Sequence, residues 1–199
     1  MIIVGVTGSF SSGKSAVAAI FKKLGAKVFD ADLAAHKVTQ KGTAVHRAII
    51  QIFGEEFLDS RGQLDRKKLA KRVFSHPRDL QKLNILVHPE VIFEALKVIR
   101  QLKHKKGILV LDVPLLYEAR MERLADFTVV VNSSQKEMIA RAAKKGAAPA
   151  LSRKILSLQW PFSKKARHAD YVIHNRGNMK ELKQEVKKIF QQIHDRVYS

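Results

Sequence analysis

Gly8-Ser9-Phe10-Ser11-Ser12-Gly13-Lys14-Ser15 reads G-x-x-x-x-G-K-S, a loop suited to wrapping phosphate. Ile2-Ile3-Val4-Gly5-Val6-Thr7 before it is the kind of apolar run that forms a buried parallel strand. Ala16-Val17-Ala18-Ala19-Ile20-Phe21 after it spaces its apolar residues as a helix does. The pattern is specific only in this strand–loop–helix setting. Gly8 and Gly13 permit backbone angles and close approaches that a side chain would block. Loop N–H groups and the positive end of the helix dipole then converge on phosphate oxygens. Lys14 is placed to meet the β- and γ-phosphates of a nucleotide, and the Ser15 hydroxyl to ligate the Mg²⁺ they hold. A small-residue turn before an ordinary helix would need the Gly and Lys spacing and both flanking elements to coincide.

Composition narrows the class. At 199 residues the chain suits one domain with a substantial core. No apolar run approaches the length of a membrane span, and the short N-terminal run leads into the loop rather than reading as a signal peptide. The absence of cysteine excludes disulfides and thiolate metal sites and fits a cytoplasmic protein. The formal charge of +19 would concentrate polyanions around the chain. Nucleic-acid binding competes with phosphate-rich small substrates on a generally basic background. Lysines are scattered, with short clusters at Lys103 to Lys106, Lys144-Lys145 and Lys164-Lys165. There is no dense basic arm and no aromatic–basic interleaving. A solvated basic surface is favoured, with no dedicated nucleic-acid partner.

Along the chain, Gly25 ends the first helix and Val28-Phe29 starts a second strand, which closes on Asp30-Ala31-Asp32. In open α/β sheets ligands gather beyond the C-terminal ends of strands. Asp32 there is a candidate base for an acceptor hydroxyl, with Asp30 in support; either carboxylate could instead cap the next helix. Residues 33–105 read as almost wholly helical, with predicted helices Asp32–Val38, Ala44–Phe53, Arg66–Phe74, Pro77–Val87 and Glu90–His104. His88-Pro89 is read as an interruption between the last two. Ile108-Leu109-Val110-Leu111-Asp112 reads as a strand whose Asp112 would serve the Mg²⁺ shell. Val113-Pro114-Leu115-Leu116 would turn into a helix containing Glu118. Phe127–Val131 is a fourth strand, and Ser134 with Glu137 a capping box. Arg141 and Lys145 share a predicted helix face: either a solvated basic face or part of a lid whose cation covers the γ-phosphate. Tyr171-Val172-Ile173-His174 is a fifth strand, Asn175-Arg176-Gly177 a turn that could line the base, and the segment from Asn178 to about Arg196 a packing helix.

Together these pieces resemble the dephospho-CoA kinase family of P-loop kinases. The matching stretches include Thr7-Gly8, Ser12-Gly13-Lys14-Ser15, Phe29-Asp30-Ala31-Asp32, His88-Pro89, Leu111-Asp112-Val113-Pro114-Leu115-Leu116-Tyr117-Glu118, Gln159-Trp160-Pro161 and Ala169 to Gly177. The resemblance implies an α/β, three-layer P-loop kinase core with a five-stranded, mostly parallel sheet. One domain, 1–199, would comprise a core of 1–32, 106–132 and 169–199, a helical substrate-binding insertion 33–105 and a helical lid 133–168. It implies transfer of the ATP γ-phosphate to the ribose 3′-hydroxyl of dephospho-CoA. By matching position, Asp32, Lys14 and Arg141 would be catalytic. Gly8, Ser11, Ser12, Gly13, Lys14, Ser15, Ala16 and Asn175 would bind ATP. Asp32, His88 and Leu115 would face dephospho-CoA, and Ser15 and Asp112 would hold Mg²⁺. Lys145 stands where the family commonly has a second lid arginine, keeping charge but not a bidentate fork. The expected partners are ATP and dephospho-CoA, with no membrane, in a cytoplasmic monomer. Another small-molecule kinase on the same fold, or a nucleic-acid binder with a vestigial loop, are the competing readings; the intact Lys14, Ser15, Asp32 and Asp112 oppose the latter.

Overall fold

In the computed structural model, which describes residues 1–176 and 178–198, the chain divides into two compact units, Met1–Asp30 with Val98–Ser199, and Ala31–Lys97. Of the turn expected at Asn175–Gly177, Gly177 lies outside the described residues.

The first unit is built on five strands: β1 (Ile2–Gly8), β2 (Lys27–Asp30), β3 (Ile108–Asp112), β4 (Phe127–Asn132) and β5 (Tyr171–His174). Their order across the sheet is β2-β3-β1-β4-β5, and every pairing is parallel. Continuous apolar sequence is what such strands require, since helices and turns cover both faces. One face packs Val4, Val6, Val129, Val131 and Ile173 against α1 (Lys14–Lys23) and α9 (Met179–Tyr198). α9 contributes the stripe Leu182, Val186, Ile189 and Ile193, all buried as its spacing predicts. Against the other face, a side chain added at Gly5 would strike Leu116 and Ala125, so that glycine lets the turn after β3 lie close on β1. α6 (Gln135–Lys144), α7 (Pro149–Leu158) and α8 (Phe162–Arg167) lie between β4 and β5 in sequence.

Two expectations in this unit need correction. Residues 114–120 form successive turns ending in a 3₁₀ turn at Met121–Leu124, not a helix around Glu118. Arg120 adopts a left-handed φ of 55°, which a helix does not allow. α6 also closes at Lys144, so Lys145 is its exposed C-cap rather than a further position on the Arg141 face.

The second unit holds α2 (Ala31–Val38), α3 (Ala44–Phe53), α4 (Arg66–Ser75) and most of α5 (Pro77–Leu102). Asp65 caps α4 as predicted, accepting from Lys68 N. The core is Val45, Ile49, Phe57, Leu64, Leu69 and Val73, backed by Leu80, Leu83, Leu86 and Val87. Here too a correction is needed, because His88-Pro89 does not split α5. Proline withholds one N–H and crowds the carbonyl four residues earlier. Pro89 and Ile85 are both on the exposed face, where the missing bond costs least, and apolar packing on the other side carries the helix through.

Candidate active site

All five strands deliver their C-terminal ends to one edge of the sheet. β2 and β3 lie on one side of β1, and β4 and β5 on the other. The crevice at such a reversal is where open α/β sheets bind ligands. Gly8 ends β1 opposite Val131 of β4, and a Cβ there would collide with the Val131 carbonyl. Gly13 has φ 102° and starts α1 with no side chain capping the first turn and no carboxylate within it. Those N–H groups are disposed toward an anion. Between the glycines, Ser12 N donates to Ser9 O at 3.0 Å, and Ser11 holds a left-handed φ of 58°.

Lys14 Nζ donates to Asp112 Oδ1, an ion pair whose side chains are 10% and 5% exposed. Asp112 lies beside Val6 and Asp30 in the strand register, so β1, β2 and β3 together fix it. The Asp112 carboxylate and the Ser15 hydroxyl are hard oxygen donors of the kind Mg²⁺ prefers, and Mg²⁺ takes few protein ligands when phosphates complete its shell. No group of three or more His, Cys, Asp or Glu side chains that could hold a metal occurs among the described residues.

Arg141, from the last turn of α6, turns inward. Its Nη1 donates to Ser12 O at 3.0 Å and to Ser133 Oγ at 3.1 Å, and its Nη2 to Asn175 O at 3.2 Å. Asn175 is buried, and its Nδ2 donates to the same Ser12 carbonyl at 2.8 Å. The ends of β4 and β5 thereby grip the loop at the residue before Gly13. Glu137 supports the grip, accepting from Ser133 Oγ at 2.8 Å and from Ser134 Oγ and N at 2.8 and 3.1 Å. The Ser133 hydroxyl first, then the Ser134 donors and the Arg141 charge, pull its carboxyl down to about 2.

The structure therefore brings together Gly8, Ser11, Ser12, Gly13, Lys14, Ser15, Ala16, Asp112, Arg141 and Asn175. Leu115 sits partly buried in the turn after β3. Asp32, exposed in the first turn of α2, and His88, partly buried on α5, belong to the second unit. Sequence reasoning assigned no role to Gln159, Glu118 or Lys165. Gln159 Oε1 accepts from Phe10 N at 2.8 Å. Glu118 Oε1 takes both Lys165 Nζ and Trp160 N at 2.9 Å. The motifs around Glu118 and Gln159 were visible in the sequence, but their joining was not.

Comparison with known proteins agrees with this arrangement. The dephospho-CoA kinase family model matches residues 2–181. The chain is 36% identical over 187 residues to a dephospho-CoA kinase of Enterococcus faecalis, covering 94% of each chain. Among solved structures, TT1252 from Thermus thermophilus aligns with a TM-score of 0.77 at 30% identity, covering 96% of this chain and 97% of that one. A dephospho-CoA kinase from Campylobacter jejuni aligns at 0.69 with 25% identity over 96% of each. With the family model spanning nearly all of a fold that gathers Lys14, Asp112 and Arg141 around one phosphate loop, the chain belongs to the dephospho-CoA kinase family.

Proposed function

We propose that the chain transfers the γ-phosphate of ATP to the ribose 3′-hydroxyl of dephospho-CoA, giving CoA and ADP. The observation that carries this reading is the buried Lys14–Asp112 pair at the strand ends, directly beside the uncapped start of α1. Phosphoryl transfer asks little covalent chemistry of a protein; positioning and charge stabilisation supply most of the rate. Residues Gly8 to Ala16 wrap the ATP phosphates, and Lys14 neutralises charge building on the transferred group. Ser15 and Asp112 are the residues that would hold Mg²⁺, and the ion would supply charge neutralisation on the phosphates. Arg141 keeps the loop in its binding shape through Ser12 and brings a cation to the phosphate edge. Asn175 serves the nucleotide side from the same carbonyl.

Asp32 is the base that orients the acceptor hydroxyl and takes its proton as the oxygen attacks phosphorus. His88 and Leu115 contact dephospho-CoA. The helical stretch 33–105 is the acceptor-binding insertion and 133–168 the lid, and the enzyme works as a cytoplasmic monomer. No helix among the described residues is long and apolar enough to cross a membrane.

The test is an ADP-release assay with ATP, Mg²⁺ and dephospho-CoA, with adenosine, AMP and shikimate as alternative acceptors. Turnover confined to dephospho-CoA, with product phosphorylated at the 3′ position, is the expected result. Turnover with another acceptor, or ATP binding without transfer, overturns it.

A further inference from the structure

The phosphate loop is held from a second side, by side chains of the turns after β3 and of the segment read above as the lid. Residues Ser9 to Ser12 form a turn closed by Ser12 N donating to Ser9 O at 3.0 Å. Phe10 and Ser11 are its central positions, and Ser11 is the left-handed one, with φ 58°. A non-glycine residue in that region is costly and persists where its surroundings over-determine it. The Phe10 N–H meets the side chain of Gln159, the C-cap of α7, at 2.8 Å. A backbone N–H can only donate, so the facing atom must be the Gln159 carbonyl oxygen.

Gln159 is itself anchored. The next residue, Trp160, donates its N–H to Glu118 Oε1 at 2.9 Å and lies parallel to Tyr117, with ring centroids 6.1 Å apart. Lys165, fully buried, donates to Glu118 Oε1 at 2.9 Å and to Pro114 O at 3.2 Å. Pro114 O also accepts from Thr7 Oγ1 at 3.0 Å, and Thr7 immediately precedes the loop. The contacts thus close a ring: Thr7, Pro114, Lys165, Glu118, Trp160, Gln159, Phe10. It begins on the strand residue just before the phosphate loop and ends within the loop.

We infer that Gln159 is a positioning residue of the ATP site, holding the Phe10 peptide so that the left-handed Ser11 and the N–H groups beyond it are already set when phosphate arrives. The inference rests on the reading of the loop as the ATP site. Without this acceptor the turn samples other shapes, and ATP must select the competent one, which weakens its binding in proportion.

Gln159→Met keeps the length of the side chain and removes its acceptor. ATP and dephospho-CoA binding are measured separately by calorimetric titration, with thermal unfolding alongside. The expected result is an ATP Kd raised by about 3- to 10-fold, the effect of one ordinary hydrogen bond. The dephospho-CoA Kd stays at its wild-type value, and the melting temperature falls by no more than about 2–4 °C, the cost of that one bond in a chain of this size. An unchanged ATP Kd in the variant, with wild type binding ATP, overturns the inference alone. An equal loss of both ligands also overturns it, since a merely structural contact would act on both. A wild-type protein that fails to bind ATP overturns the inference together with the reading of the loop.

Discussion

Gly13→Ala tests the site geometry directly, because two separate penalties meet at that Cα. The backbone sits at φ 102°, and a Cβ built there runs into Asn175 Nδ2. The left-handed backbone costs an alanine about 1–2 kcal/mol. Relieving the collision is easy for the Asn175 amide, which is the free end of a side chain, but moving it breaks its 2.8 Å bond to Ser12 O. That bond is worth about 1 kcal/mol. The single variant should therefore lose about 2–3 kcal/mol of stability, as the sum of these terms. In an Asn175→Ala background the bond is already gone and the obstruction with it. Gly13→Ala should then cost only the backbone term, about 1–2 kcal/mol. The two substitutions are predicted to be sub-additive by about 1 kcal/mol, above the scatter of independent sites. The assay is urea unfolding of wild type, both singles and the double, followed by fluorescence of the single tryptophan, Trp160, which lies in the same unit. Strictly additive losses would refute the reasoning, since Asn175 would then not stand over Gly13.

Three further outcomes are expected. Lys14→Ala removes the loop cation and the ion pair it makes with Asp112, so ATP affinity and turnover should fall together; unchanged steady-state kinetics would sink the loop assignment. Asp32→Asn should cut turnover by roughly 10²-fold or more through loss of general-base help while ATP binding stays near wild type; near-normal turnover removes Asp32 from that role. Glu137 is held in the native state at about 2 against an ordinary 4.5, so its stabilising contribution is complete above about 4.5 and is lost as pH falls toward 2. Glu137→Gln should flatten acid unfolding across that window, and superimposable wild-type and variant profiles would show that the serine hydroxyls do not hold the carboxylate.

What the sequence disclosed, and what it did not, follows from the range over which each feature is determined. The loop, its strand and its helix are local, and so are the Ser134–Glu137 capping box and the Asp65 cap; each is legible from a few neighbouring residues. The strands were legible because a parallel sheet covered on both faces demands unbroken apolar runs. The break assigned at Pro89 failed because a local rule met tertiary packing: the exposed side of α5 tolerates the missing N–H. The helix assigned around Glu118 failed for a related reason. That carboxylate is committed to Trp160 and Lys165, more than forty residues away, and tight turns bring it there. Arg141 and Asn175 were expected near the nucleotide from their motifs, yet their shared grip on the Ser12 carbonyl, which spans 129 and 163 positions of sequence, could not be read locally.

The same long-range pairing changes how the +19 charge should be understood. Composition counts Lys14 and Lys165 with the surface lysines, but their side chains are 10% and 0% exposed. Each is matched by a carboxylate from the end of β3 or the turns that follow it, Asp112 for one and Glu118 for the other. Removing one member of such a buried pair typically costs about 3–5 kcal/mol, far more than the pair contributes over an apolar replacement. These lysines are therefore tied to place rather than to bulk charge. Asp112 orients the lysine of the phosphate loop, and Glu118 fixes the segment whose Gln159 holds Phe10. Exposed charges more than about 8 Å away are screened at physiological salt, so neutralising surface lysines elsewhere should leave ATP affinity nearly unchanged. A proportional fall in ATP affinity with each surface lysine removed would mean instead that the bulk charge, not the paired interior, gathers the nucleotide.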